Sequence, residues 1–240
     1  MRSPARWIVV ALVGAALLAL SYGSGFAGAQ GEGARYGTDP LTPAEAAAAV
    51  EDAGVPESAV QPESAGPEAL GHNGLPERLV LLVERHLEDK GADVGLRRAD
   101  VYAYSYADDT LTVSVVDLAD GGVDATTSVN GDQLPLIEVE EQRAVELLLA
   151  DPVFAERLAE EYQRVMGEPL SDAAQDLDVQ PIVFKADAVP TVATGRAAQC
   201  GVHRCAQFLI QSTDHALINL FPLVDLSAGE VLAADGVAGS

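Results

Sequence analysis

The chain has 240 residues, 48% of them hydrophobic, and its 37 acidic side chains against 14 basic ones give a formal net charge of -23. Such a surface repels phosphate backbones and anionic bilayers, so nucleic acid is excluded as an expected partner and a membrane-surface role is disfavoured. The apolar fraction is ample for one large packed core or two small ones.

Residues 1–29 read as a secretory signal. Arg2 and Arg6 supply a positive start, Trp7 to Leu20 an uncharged apolar run, and Ala27-Gly28-Ala29 a small-residue cleavage pattern before Gln30. The expected mature protein is secreted or extracytoplasmic, with no stable membrane insertion after cleavage; an uncleaved anchor is the alternative. Residues 30–39 are Gly-rich and expected to be disordered. Thr42-Pro43-Ala44-Glu45 then has the form of a capping box with proline at the first helical position, opening a short Ala-rich helix to about Asp52. Residues 54–74 repeat Pro-Glu-Ser-Ala at Pro56–Ala59 and Pro62–Ala65 and read as a flexible linker or long loop.

A second helix is expected from Pro76 to Gly91, with Leu79, Leu82, Val83 and Leu87 on one stripe. Three strands follow, at Val101–Tyr106, Leu111–Leu118 and Val123–Val129, joined by turns at Ala107-Asp108-Asp109 and Ala119–Gly122. Later, Asp151 caps a helix from Pro152 to Gly167 with Phe154, Leu158, Tyr162 and Val165 on its stripe. Strands are expected at Ile182–Lys185, Arg204–Gln211, Leu217–Leu226 and Val231–Ala234.

The order of elements repeats. Val116-Asp117-Leu118-Ala119-Asp120-Gly121-Gly122-Val123 returns as Val224-Asp225-Leu226-Ser227-Ala228-Gly229-Glu230-Val231, with five of eight positions identical. Pro40-Leu41 and Glu45 before Ala49-Val50-Glu51 return as Pro135-Leu136 and Glu140 before Ala144-Val145-Glu146. The two Pro-to-Gly helices match in length. This pattern predicts an α+β fold of two tandem units, residues 40–132 and 133–236, each with helices on one face of an antiparallel meander.

Four groups of residues carry possible chemistry. Cys200 and Cys205 are expected to form a disulfide, as two cysteines in an exported protein usually do; the alternative is a metal site of Cys200, His203 and Cys205 with His215 as fourth ligand. In the disulfide reading His203 sits exposed at the loop tip. Asp117 with Gly121, and Asp225 with Gly229, read as turn-making pairs, and only Asp120 offers a partner carboxylate for a metal there. Tyr102, Tyr104 and Tyr106 share one strand face and are expected to pack under a helix with their hydroxyls at its rim. No nucleophile elbow, zinc-protease, P-loop or dinucleotide fingerprint is present, so no catalytic residue and no cofactor is expected.

Two helix-plus-meander units that each end in Val-Asp-Leu, a turn and Gly-x-Val resemble the N-terminal α/β domains of copper amine oxidases. The Pro-Leu entries at Pro40 and Pro135 and the helical segment Ala144–Pro152 fit that look. The resemblance implies a cystatin-like, non-catalytic fold over roughly residues 40–235. The family's chemistry does not carry over: none of the six tyrosines follows an asparagine, as the quinone precursor does, and the four histidines form no His-x-His pair. A weaker resemblance is to PepSY-type domains, which implies peptidase inhibition. The expected function is a protein-binding or accessory module with an unknown protein partner. A PepSY-like inhibitor and an accessory part of a copper amine oxidase are the alternatives.

Overall fold

Thr42 begins the described fold as the sequence predicts. In the computed structural model, which describes residues 39–60, 70–87, 96–188 and 195–233, its hydroxyl accepts from the amide of Glu45, and the Glu45 carboxylate accepts from the amide of Thr42. That reciprocal cap satisfies two amides the helix cannot bond internally. It opens α1, Pro43–Asp52, which buries Ala49 and Val50. The expected signal and disordered N-terminus lie outside the described residues, apart from Asp39, as does much of the expected linker. Among the described residues no helix is long and apolar enough to cross a membrane.

Four strands follow: β1 Arg78–Arg85, β2 Arg98–Ser105, β3 Thr110–Asp117 and β4 Gly122–Val129. They form one antiparallel sheet in chain order. The helix expected from Pro76 is therefore a strand. The stripe Leu79, Leu82 and Val83 belongs to a continuous apolar run, Leu79 to Val83, and a strand packed on both faces reads that way. Val80 and Val83 pack with Ala49, Val50, Ala99, Val101 and Val116 under α1, while Leu79 joins Tyr104, Tyr106 and Leu111 on the opposite face. The equal Pro-to-Gly spacing does not mark a repeat.

The second half contains α2 Glu138–Ala150, α3 Pro152–Met166, the single turn α4 Ala173–Asp176, and strands β5 Leu177–Phe184, β6 Cys205–Ser212, β7 Leu223–Asp225 and β8 Glu230–Ala233. This second sheet is also antiparallel and in chain order. Asp151 caps α3 through the Phe154 amide, and Gly167 ends it at φ 79, where a side chain would be strained. Strand β5 starts earlier than the apolar pattern indicates, because Asp178, Gln180 and Pro181 interrupt it; proline is tolerated there since β5 is an edge strand. Strand β7 is shorter than expected. Pro222 cannot donate to a ladder, and Leu217 makes a separate bridge to Gln211.

The fold is thus α+β, with two four-stranded antiparallel meanders and helices against them. Both sheets feed one hydrophobic cluster. Leu79, Tyr104, Tyr106 and Leu111 from the first meet Ala144, Leu148, Phe154, Leu158, Phe208, Ile210 and Val224 from the second half. The halves match in detail, which is consistent with tandem units. Arg98 pairs with Asp117 across β2 and β3, and Cys205 pairs with Asp225 across β6 and β7.

Candidate functional site

The residue just before each second strand is an arginine, and both arginines make the same four contacts. Arg97 donates from Nε to Glu45 Oε1 (2.5 Å) and from Nη2 to Glu45 Oε2 (2.9 Å). It also reaches the carbonyls of Asp39 (3.2 Å) and Pro40 (3.0 Å). Arg204 bonds Glu140 through Nε and Nη2, and reaches the carbonyls of Leu134 (2.9 Å) and Pro135 (2.8 Å). In both cases the glutamate also accepts the amide at its helix entry, Thr42 or Ile137. Ile137 has no side-chain acceptor, so the second helix has only half of the cap. Each arginine therefore ties the start of a helix to the start of a strand.

The two clasps differ in burial. Arg97 and Glu45 keep 12% and 16% side-chain exposure, whereas Arg204 and Glu140 have none. Arg204 uses its remaining donor on Gln133 (3.1 Å), so all its N–H groups are occupied. The Tyr106 hydroxyl donates to Glu140 (2.5 Å), and the Arg204 guanidinium lies 5.5 Å from the centre of the Tyr104 ring. Burial pushes the Tyr106 hydroxyl well above its ordinary range, and the Glu140 charge adds to it. Burial would lower the Arg204 pKa, but the bond and field of Glu140 outweigh it. The tyrosine row packs with helices of the second half, Tyr104 and Tyr106 sharing one cluster with Ala144 and Leu148 of α2, and not with α1. It occupies the opposite sheet face, where Tyr104 and Tyr106 seat the second half and Tyr102 donates to Glu84 (3.0 Å).

Next to this clasp, Cys200 and Cys205 are joined as a disulfide with Cα atoms 5.5 Å apart. Both are buried, with Phe184 and Leu223. His203 is not the exposed loop tip expected. Its Nδ1 lies 2.7 Å from the buried Asp225 and its Nε2 lies 3.7 Å from Asp109. His215 lies beyond the far end of β6 from Cys205, exposed, in a turn at φ 63. The length of β6 separates His215 from Cys200, His203 and Cys205, and the two cysteine sulfurs are bonded to each other.

The repeated turns share one geometry. The Gly121 amide donates to the Asp117 carbonyl (2.9 Å) and the Gly229 amide to the Asp225 carbonyl (2.8 Å), with both glycines at positive φ. Asp117 also accepts from Ala119, and Asp225 from Ala228. Asp120 accepts the Gly122 amide, which makes it another turn residue.

Strand β4 is the other unusual feature. It is an edge of the first sheet, and Val123 to Ser128 are exposed on both faces. The other described edges are managed. Strand β1 packs against residues 57–59 and has a bulge between Val80 and Leu82, β5 carries Pro181, and β8 has four residues. Strand β4 carries no lysine or proline, and its one irregularity lies near its start, opposite Val115 and Val116.

No protein-family model matches the chain, and no curated protein does. A copper-containing benzylamine oxidase from Hansenula Polymorpha is weakly similar in structure, with a TM-score of 0.47 and 13% identity. The match covers 83% of this chain and 30% of that one, so this chain spans under a third of its length.

Sequence reading missed the arginines. Their signal was the pairing of each Pro-Leu-x-x-x-Glu entry with an arginine directly before a β-run. The His203 contact has a measurable consequence. Burial alone would lower the His203 pKa, but its hydrogen bond to Asp225 and the charges of Asp225, Asp109 and Glu230 raise it above 6.5. A raised folded pKa stabilises fully below the unfolded value and is lost as pH climbs through the folded one. The stability gap between wild type and His203→Gln is therefore expected to be widest below about pH 6.5 and to shrink at alkaline pH. Denaturant midpoints for both proteins from about pH 5 to about pH 9 check this; a gap that grows with pH contradicts it.

Proposed function

We propose that this chain is an exported, non-catalytic accessory module that holds protein partners by strand addition. The observation that carries the reading is β4, an eight-residue edge strand exposed on both faces, with no proline or lysine and with its one irregularity near its start. Export is supported by the N-terminal segment and by the disulfide, which suits an oxidising compartment. A non-catalytic role is supported by the engagement of the polar residues near the disulfide. His203 and Asp225 hold each other, Ser227 accepts the Arg204 amide, and Glu140 is filled by Arg204, Tyr106 and Ile137. In this reading the units are cystatin-like and non-catalytic, as the resemblance to amine oxidase N-terminal domains implies.

The test compares proteins recovered from the producing cell's envelope fraction by the wild type and by Thr126→Pro and Thr127→Pro, made separately. Along an antiparallel edge, adjacent residues alternate in pointing their N–H groups toward β3 and outward. One of the two substitutions therefore removes an outward donor and leaves the ladder to β3 intact. Partners lost with that variant, at unchanged circular dichroism, support strand addition. The same proteins recovered by all three overturn it. Stoichiometric inhibition of a secreted protease that survives both substitutions favours the PepSY-like alternative.

A further inference from the structure

We propose that the strand received by β4 is an extended segment of another protein with an uncharged, β-branched centre and a lysine or arginine at each end; this rests on the strand-addition reading above. The strand itself sets the centre. From Ala125 to Val129 it presents Ala, Thr, Thr, Ser and Val, with no charge to be desolvated when another strand pairs alongside. The flanks set the ends. At the Gly122 end stand Asp117, Asp120 and Asp124, of which Asp120 and Asp124 are exposed. At the Val129 end stand Asp108, Asp109 and Asp132, with Asp108 and Asp132 exposed. The Asn130 side chain draws this second group in, donating to the carbonyls of Asp109 (2.9 Å) and Asp108 (3.4 Å).

Near these carboxylates stand Arg98, whose Nη1 lies 3.6 Å from Asp124, and His203, whose Nε2 lies 3.7 Å from the partly buried Asp109, while the exposed Asp108, Asp120 and Asp132 face outward. The same charges argue against a second copy of this chain as occupant. Antiparallel pairing of β4 with itself would lay the Asp120 and Asp124 end of one copy on the Asp108 and Asp132 end of the other. Like charges facing one another across a pairing oppose it. A cationic-ended strand meets opposite charge at both ends instead.

Two fluorescent synthetic peptides make the test, each with alternating threonine and valine at the centre, one flanked by lysines and one by glutamates. Binding to the full mature chain is read by anisotropy. The lysine-flanked peptide is expected to bind, and the glutamate-flanked one to bind about tenfold more weakly or worse, with the difference shrinking as salt is raised. Reversing the flanks by Asp108→Lys and Asp120→Lys, both exposed, is expected to narrow or invert the preference. The outward-acting proline substitution is expected to abolish binding. Equal affinity for the two peptides, with proline sensitivity kept, overturns the charge assignment and leaves strand addition standing. Binding that ignores the proline overturns strand addition itself. No binding of either peptide, or a β4-dependent dimer of the chain in sedimentation, overturns the proposed occupant.

Discussion

Glu140→Ala is expected to destabilise the protein by about 3–5 kcal/mol, because it leaves the Arg204 charge buried without its partner. The Arg204 side chain has no exposure, so water cannot replace the carboxylate without opening the core. The carbonyls of Leu134 and Pro135 still accept from it, but they carry no charge to balance it. The substitution also strands the Tyr106 hydroxyl, which is buried and has Glu140 as its acceptor. Glu45→Ala removes the matching arginine and cap contacts from the first clasp, which among the described residues has no tyrosine on its glutamate and where Arg97 is partly exposed and can be solvated. Its expected cost is about 1–2 kcal/mol, largely from the lost cap. Denaturant midpoints of the two variants decide the matter; equal losses would show that burial does not govern the difference. Arg204→Met combined with Glu140→Leu is expected to recover the part of the loss that comes from the buried charge, while the Tyr106 hydroxyl stays stranded.

Removing the disulfide by Cys200→Ala with Cys205→Ala is expected to cost about 2 kcal/mol or more. The chain-entropy model gives about 2 kcal/mol for closing so short a loop. The native surroundings add to it. Cys200 and Cys205 pack with Phe184 and Leu223, so alanines leave space in a small cluster. The loop they close also places His203 beside Asp225 and the Val202 carbonyl 3.2 Å from the Tyr104 hydroxyl. Losing the crosslink therefore loosens the seat of the second half on the first. Thermal unfolding of the double variant, alongside wild type with and without reductant, measures the effect. A double variant as stable as oxidised wild type would show that the bridge constrains nothing.

Local signals determined a good deal of this molecule. Thr42-Pro43-Ala44-Glu45 and Asp151-Pro152 specify helix starts by chemistry that needs no tertiary partner, and both caps formed. The alternation in residues 101–129 marks three strands because side chains on successive strand positions face opposite ways. The paired Val-Asp-Leu turns follow from a backbone bond that closes on a glycine at positive φ. Cysteines five apart in sequence could reach each other with little help from the rest of the fold.

Tertiary structure decided the remainder. Leu79 to Val83 fits a helical stripe as well as a doubly packed strand, and the choice was made by α1 on one face and Tyr104 on the other. The short β7 and early β5 were set by partners far away in sequence, which outweigh local propensity. The arginine clasps join residues 52 and 64 positions apart, and no local pattern assigns a partner at that range. His203 illustrates the same point. Its sequence context is a loop beside a cysteine, yet Asp225 reaches it only once β7 has paired with β6, and Asp109 only after the two sheets have packed. Composition fixed the acidic surface, but only the fold placed carboxylates at both ends of an open strand, because an edge exists only once a sheet has formed.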